Sequence, residues 1–199
     1  MAAPRRTQQE RSASTRARLV DAAFACLLDG GYAATTLGAV QQRAGVARGT
    51  LLHHFPTRTA LMLGVLDDIA GRRLAVLAAA PSGSAGPADW DALVDLVWDD
   101  LRSPAFSAAL ELWVAARTDA ELRAALVPVQ ERLFGTVHRS VTALVGDADP
   151  RVPTLVQFSI DLLTGSRLAG LLEERAGTPA IVERWRRALP LLAAAPDLL

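Results

Sequence analysis

Apolar side chains recur along this chain at intervals of three and four residues, a spacing that predicts helices almost throughout. Leu37, Val40 and Ala44 fall at i, i+3 and i+7, and Leu51 and Phe55 lie four apart. The stretch from Thr35 to Arg58 therefore reads as two short helices, each turning one apolar stripe toward a shared small core. Between them, Ala44-Gly45-Val46 supplies a tight turn: Gly45 can take the left-handed conformation that stops the first helix, and Val46 can pack under the corner. Upstream, Ala17, Val20, Phe24 and Leu27 make a stripe on a support helix over 13–28, closed by Asp29-Gly30-Gly31-Tyr32, with Tyr32 placed to cover the core from below. Downstream, Thr57 is placed to cap a long helix reaching about Ala79, along which Leu61, Val65 and Ile69 recur with Met62 and Leu66 beside them.

Residues 81–87, Pro-Ser-Gly-Ser-Ala-Gly-Pro, form a loop by composition, and five more helices are predicted over 88–102, 104–117, 119–146, 150–175 and 178–195. Pro104 suits a first turn, Thr118-Asp119 looks like a cap, and Pro128 should kink or split the third of these helices. The expected fold is all-α. A three-helix amino-terminal helix-turn-helix domain takes residues 1–60, the helix 57–79 bridges, and a helical bundle takes 80–199.

Charge sharpens the picture. The formal net charge is zero, yet residues 1–60 carry eight Arg against Glu10, Asp21 and Asp29, a surplus of five that the remainder cancels. The amino-terminal third thus reads as a DNA-facing end. Residues 1–12, with Arg5, Arg6 and Arg11, read as a disordered arm; lying along phosphates or in a minor groove and being a plain solvated tail are both open. All the basic residues are Arg, which fits a GC-rich genome rather than a mechanism. The single Cys26 reads as a buried reduced thiol. No stretch approaches a membrane span and residues 1–20 have no apolar signal core, so a soluble cytoplasmic protein is expected. The chain lacks any nucleophile elbow, zinc-protease helix or glycine-rich phosphate loop, and His53 and His54 stand about 100° apart on a helix, poor geometry for one metal. Neither an enzyme, a metal nor a cofactor is expected.

The second short helix presents Arg48, Gly49, Thr50, Leu52, His53 and His54 over about two turns. An Arg fork suits guanine, a Thr offers hydroxyl and methyl, and Gly49 lets backbone approach phosphate. The run T-x-x-x-V-x-x-x-A-G-V-A-x-G-T-L-x-H-H-F-P-T-R-x-x-L, from Thr36 to Leu61, resembles the DNA-binding signature of the TetR-type one-component bacterial repressors. The resemblance implies DNA contacts from Thr36, Arg48, Gly49, Thr50, Leu52, His53, His54 and Arg58. Three positions depart from that pattern. Ala47 stands where a Ser usually caps the recognition helix, Leu52 where a Tyr touches the DNA backbone, and Arg58 where a Lys usually sits; a forked cation can still grip phosphate there.

Three of the four Trp, with Phe106, Phe134 and Phe158, lie between residues 90 and 158, interrupted by Glu111, Arg117, His138, Gln157 and Asp161. A few polar groups in an apolar bundle is the usual lining of a small-molecule site, although each Trp taken alone reads more simply as core or interface. With the resemblance, an effector pocket for a small, largely apolar compound is expected from Trp98, Phe106, Trp113, Phe134, His138 and Asp161. The last two helices are apolar on more than one face, and TetR-type proteins pair two such helices into a four-helix dimer interface; Leu155, Phe158, Leu162 and Trp185 are its candidates here. The expected protein is a dimeric, ligand-responsive regulator, most often a repressor, on an inverted-repeat operator. A DNA-binding architectural protein whose carboxy-terminal domain only dimerises is the alternative, and a helical lipid-binding or interaction module is a third class. Effector, operator and target genes are not legible.

Overall fold

The computed structural model describes residues 7–79, 89–145, 150–171 and 177–195. Arg5, Arg6, Leu172 and the 81–87 loop lie outside them. Among the described residues the chain is helical without strands: α1 Gln8–Ala34, α2 Leu37–Ala44, α3 Arg48–His54, α4 Arg58–Ala79, α5 Trp90–Arg102, α6 Pro104–Ala116, α7 Ala120–Val145, α8 Val152–Ala169 and α9 Thr178–Ala194. None of these is long and apolar enough to cross a membrane.

Local side chains explain most helix ends. Thr7 and Glu10 form a reciprocal capping box, Thr7 N–H donating to Glu10 Oε2 at 2.7 Å and Glu10 N–H to Thr7 Oγ1 at 3.2 Å. Helix α1 therefore starts at Gln8 and takes in Arg11, which the sequence placed in a disordered arm. Asp89 caps α5 and Asp119 caps α7, each accepting from the backbone three residues on at 2.9 Å. Thr57 caps α4 as expected, accepting from Ala60 N–H at 3.0 Å. Helix α7 runs unsplit through Pro128.

The α1 stripe is corrected by the structure. Leu19, Val20, Ala23, Cys26 and Leu27 are its buried positions, whereas Ala17 is exposed and Phe24 only half-buried. Val20 and Leu27 are buried as expected, and the rest of the buried face is turned toward Leu19, Ala23 and Cys26 instead of Ala17 and Phe24. Cys26 is buried and free. Gly31, at φ 70 and ψ −178, breaks the helix; Tyr32–Ala34 follow as one more turn, and Thr35 donates its hydroxyl back to the Gly31 carbonyl at 2.8 Å.

The chain forms two compact units. The first takes Met1–Ala70 and Ser107–Gln130, the second Gly71–Phe106 and Glu131–Leu199. The division expected between residues 60 and 80 followed the chain in order. The compact units do not, because the α6–α7 corner bonds to the amino-terminal helices: Glu111 Oε2 accepts from Tyr32 N–H at 3.1 Å, and the Tyr32 hydroxyl donates to Asp119 Oδ2 at 3.2 Å. Leu61, Met62, Val65, Leu66 and Ile69 of α4 are fully buried with Leu19, Val40 and Leu51 in the first unit's core. In the second unit α5, α8 and α9 pack together, with Leu93, Val94, Leu155, Val156, Leu163 and Leu189 fully buried.

Candidate nucleic-acid interface and ligand cavities

Helix α3 has seven residues, too few to persist alone, so its neighbours must hold it. Leu51 and Phe55 anchor it from beneath, both nearly fully buried, and Arg16 lies over the Phe55 ring with its guanidinium 5.0 Å from the centroid. Thr36 caps α2 by accepting from Ala39 N–H at 3.1 Å. At the other end Gly45 is left-handed, φ 62 and ψ 42, and its N–H returns to the Gln41 and Gln42 carbonyls. Arg18 Nη2 donates to the Ala44 carbonyl at 2.6 Å, satisfying an end group of α2 that would otherwise face water. Ala47 provides no side-chain cap for α3, as its missing hydroxyl requires.

This scaffold leaves Arg48, Gly49, Thr50, Leu52 and His53 together on the outer surface, with Thr36 exposed at the start of α2. His54 turns partly inward, and its ring meets that of His53 edge-on at 5.4 Å between centroids. Burial, then repulsion from His53 and Arg16, holds the His54 pKa below its ordinary value, so it is neutral at pH 7.

Arg58 is placed differently from the phosphate grip expected of it. Its guanidinium lies over the Tyr32 ring, 3.8 Å from the centroid; Nε donates to the Thr35 carbonyl at 2.9 Å and Nη2 to the Tyr32 carbonyl. It clasps the α1–α2 corner from the start of α4. Desolvation raises the Tyr32 pKa against the opposing pull of Arg58, and the Asp119 bond adds to the rise. Asp119 is held below the usual carboxylate range, first by the Leu122 N–H it accepts.

The arginine surplus is thus largely spent inside the unit. Arg16, Arg18 and Arg58 serve as described, and Arg43 pairs with Asp29 at 2.5 Å. Among the described residues of this region, Arg11 and Arg48 keep side chains uncommitted to a hydrogen bond or ion pair. Sequence reasoning missed these internal roles. It also read Glu111 as a pocket group, and no local signal marks a partner 79 positions away.

Of the six expected effector residues, Trp98 and Trp113 each line a described cavity. Trp98 opens on a cavity of about 560 Å³ in the second unit, with Arg102, Arg167, Thr178, Val182 and Glu183. Trp113 lines another of about 570 Å³ in the first unit, with Val114, Arg117, Leu126 and Gln130. Phe106 is core, while Phe134 is 46% exposed. His138 Nε2 sits 3.2 Å from the Pro153 carbonyl, and Asp161 accepts from Gln157 at 2.9 Å on the surface. The six lie on four helices, α5 to α8, and how those helices pack is set by no spacing along the chain.

Of the four interface candidates, one is buried and another is half-buried and tied to a buried group. Leu155 is fully buried, and Trp185 donates its indole N–H to the buried Ser159 hydroxyl at 3.1 Å. Phe158 is 45% exposed and Leu162 half-buried; with Gly165 and Ala169 they lie along one outward line of α8. On α9, Ile181, Arg184, Ala188 and Leu191 form a comparable line.

Residues 19–65 match the family model described as bacterial regulatory proteins, tetR family. An uncharacterised HTH-type transcriptional regulator of Mycobacterium tuberculosis is 30% identical over 169 residues, covering 82% of this chain and 86% of its own. The crystal structure of a TetR-family member from Streptomyces coelicolor is similar at a TM-score of 0.69 and 28% identity, over 89% of this chain and 97% of that one. The multidrug binding protein EbrR complexed with imidazole is similar at a TM-score of 0.66 and 26% identity, over 92% of this chain and 97% of that one.

Proposed function

The chain belongs to the TetR family of bacterial transcriptional regulators, and from that premise we propose that it is a homodimeric repressor released from an inverted-repeat operator by a small molecule. Proteins of this family bind DNA and catalyse no reaction, so DNA and effector are the ligands to explain. The observation that carries the reading is the outer face of α3. Arg48, Gly49, Thr50, Leu52 and His53 stand together there on buried Leu51 and Phe55, the size and chemistry of a helix that enters a major groove. Arg48 is the base-reading cation, Thr50 and His53 add edge contacts, and Thr36 and Gly49 approach the phosphates. Effector binding favours the state unable to hold DNA. A coupling of about 1–3 kcal/mol changes affinity roughly 5- to 150-fold. EbrR, a multidrug binding protein, supports an apolar-bodied effector, and the two cavities are large enough for one. The regulator acts in the cytoplasm, where its operator is.

Selection from a random duplex library, followed by fluorescence anisotropy on the selected site, tests the reading. Arg48→Ala should weaken the selected site by about 1–3 kcal/mol and relax preference at one position, leaving random DNA nearly unaffected. An equal loss on selected and random DNA would remove Arg48 from base recognition. A dimer that binds its site and is released by no compound of a broad panel would instead be an architectural protein.

A further inference from the structure

The cavity at Trp98 has a chemistry that an apolar effector does not use. Its wall comes from three helix ends of the second unit: Trp98 and Arg102 from the last turns of α5, Ser166 and Arg167 from the end of α8, and Thr178, Val182 and Glu183 from the start of α9. At about 560 Å³ it falls within the size range of small-molecule sites. Several other arginines of this unit are engaged. Arg73 is clamped on Asp100, Arg151 reaches the Ala193 and Ala195 carbonyls, and Arg186 pairs with Asp95.

Arg102 differs: among the described residues it makes no hydrogen bond or ion pair, and it faces the cavity. Arg167 stands near it with Nε fixed on the Leu101 carbonyl at 3.2 Å, which orients the fork without neutralising it. Among the described lining residues the one carboxylate, Glu183, is already drawn to Arg186 and Arg187, 3.6 Å from each. Two guanidiniums therefore face one space whose lining acid is engaged elsewhere. The first turn of α9 adds a partial positive charge, since Gly177 leaves it without a side-chain cap. Trp98, Pro179 and Val182 supply apolar wall beside these charges.

We propose that this cavity binds an amphipathic organic anion, its acid group forked by Arg102 and Arg167 and its aromatic or acyl body laid along Trp98 and Val182. A neutral ligand of the same shape leaves both guanidiniums covered and unpaired, whereas a carboxylate forms charge-assisted bonds with them. The proposal rests on the effector-controlled reading above and narrows its ligand to organic acids.

The test uses the full-length dimer and matched pairs of compounds: phenylacetate, naphthalene-2-carboxylate and octanoate, each beside its neutral amide. Binding is followed by Trp fluorescence, with Trp98→Phe identifying the responding ring, and operator release by anisotropy. At least one carboxylate should bind about 10- to 100-fold tighter than its amide, and Arg102→Gln should bring the two level while leaving the melting temperature unchanged. Arg102→Lys should restore part of the preference, because a point charge keeps attraction but loses the fork. Equal affinity for acid and amide, a preference that survives Arg102→Gln, or no saturable binding of any of the three acids up to millimolar concentration would overturn the proposal. Release by other compounds without dependence on Arg102 would overturn this site and leave effector control standing. Arg102-dependent binding of an acid that never releases DNA would keep the site and sink effector control.

Discussion

Arg58 shows how residue type alone can mislead about role. A forked cation at the start of α4 suits a phosphate, but here its fork serves the Tyr32 and Thr35 carbonyls and its plane covers the Tyr32 ring. Arg58→Ala removes a cation–π contact and two charge-assisted bonds, so thermal or urea unfolding should show a loss of about 2–4 kcal/mol. Arg58→Lys should recover less than half, since an ammonium neither stacks nor forks. A variant with unchanged stability and merely weaker binding to all DNA would return Arg58 to the phosphates. Asp119, on the same corner, ties stability to pH. Its folded pKa is depressed, so the stabilisation is complete above the ordinary carboxylate pKa and disappears as pH falls through the lower folded value. Urea midpoints measured from pH 6 downward should fall more steeply in wild type than in Asp119→Asn.

Among the elements, α3 is the one whose local sequence is weakest. It is short, begins without a side-chain cap and keeps its place through Leu51, Phe55 and the Arg16 contact. Ala47→Ser adds the missing acceptor for the first-turn amides and should stabilise the fold by about 1 kcal/mol. Hydrogen exchange at residues 48–54 should slow by a similar factor, and operator affinity should rise because less ordering remains for DNA to impose. Unchanged exchange in this segment would mean that packing, not capping, limits α3. Caps at Thr57 and Asp119 and the left-handed Gly45 were legible beforehand, because each depends on residues within one turn. The full buried face of α1 was not: Val20 and Leu27 were read correctly, but Leu19, Ala23 and Cys26 join them through packing that helical period does not determine.

At the scale of the whole molecule, the proposed function calls for two copies, because a single α3 reaches too few base edges to select a site. Phe158 and Leu162 on α8 and Ile181 and Leu191 on α9, the last 71% exposed, are among the apolar positions left for a partner copy once Leu155 is assigned to the interior and Trp185 to Ser159. Phe158→Arg should leave a folded monomer in sedimentation, with affinity for the full palindrome lost although α3 is untouched, whereas Leu155→Arg should unfold the chain. Half-sites are expected about 34–36 Å apart, one helical turn of DNA. A Phe158→Arg protein that remains dimeric would move the interface off this line.

What the sequence by itself determined is largely what near neighbours along the chain set. Helical period, caps, the Gly45 turn and most of the outward residues of α3 follow from side chains within a few positions of one another, and they were enough to read the fold and the outer face of α3. The tertiary structure decided which of the many arginines and aromatics are free to meet a ligand. Arg58 and Glu111 are taken by Tyr32, Arg18 by the end of α2, and Trp185 by Ser159, while Trp98 and Arg102 are left facing a cavity. Those outcomes depend on pairs between 23 and 79 positions apart, whose meeting is set by how the helices pack and not by any spacing along the chain.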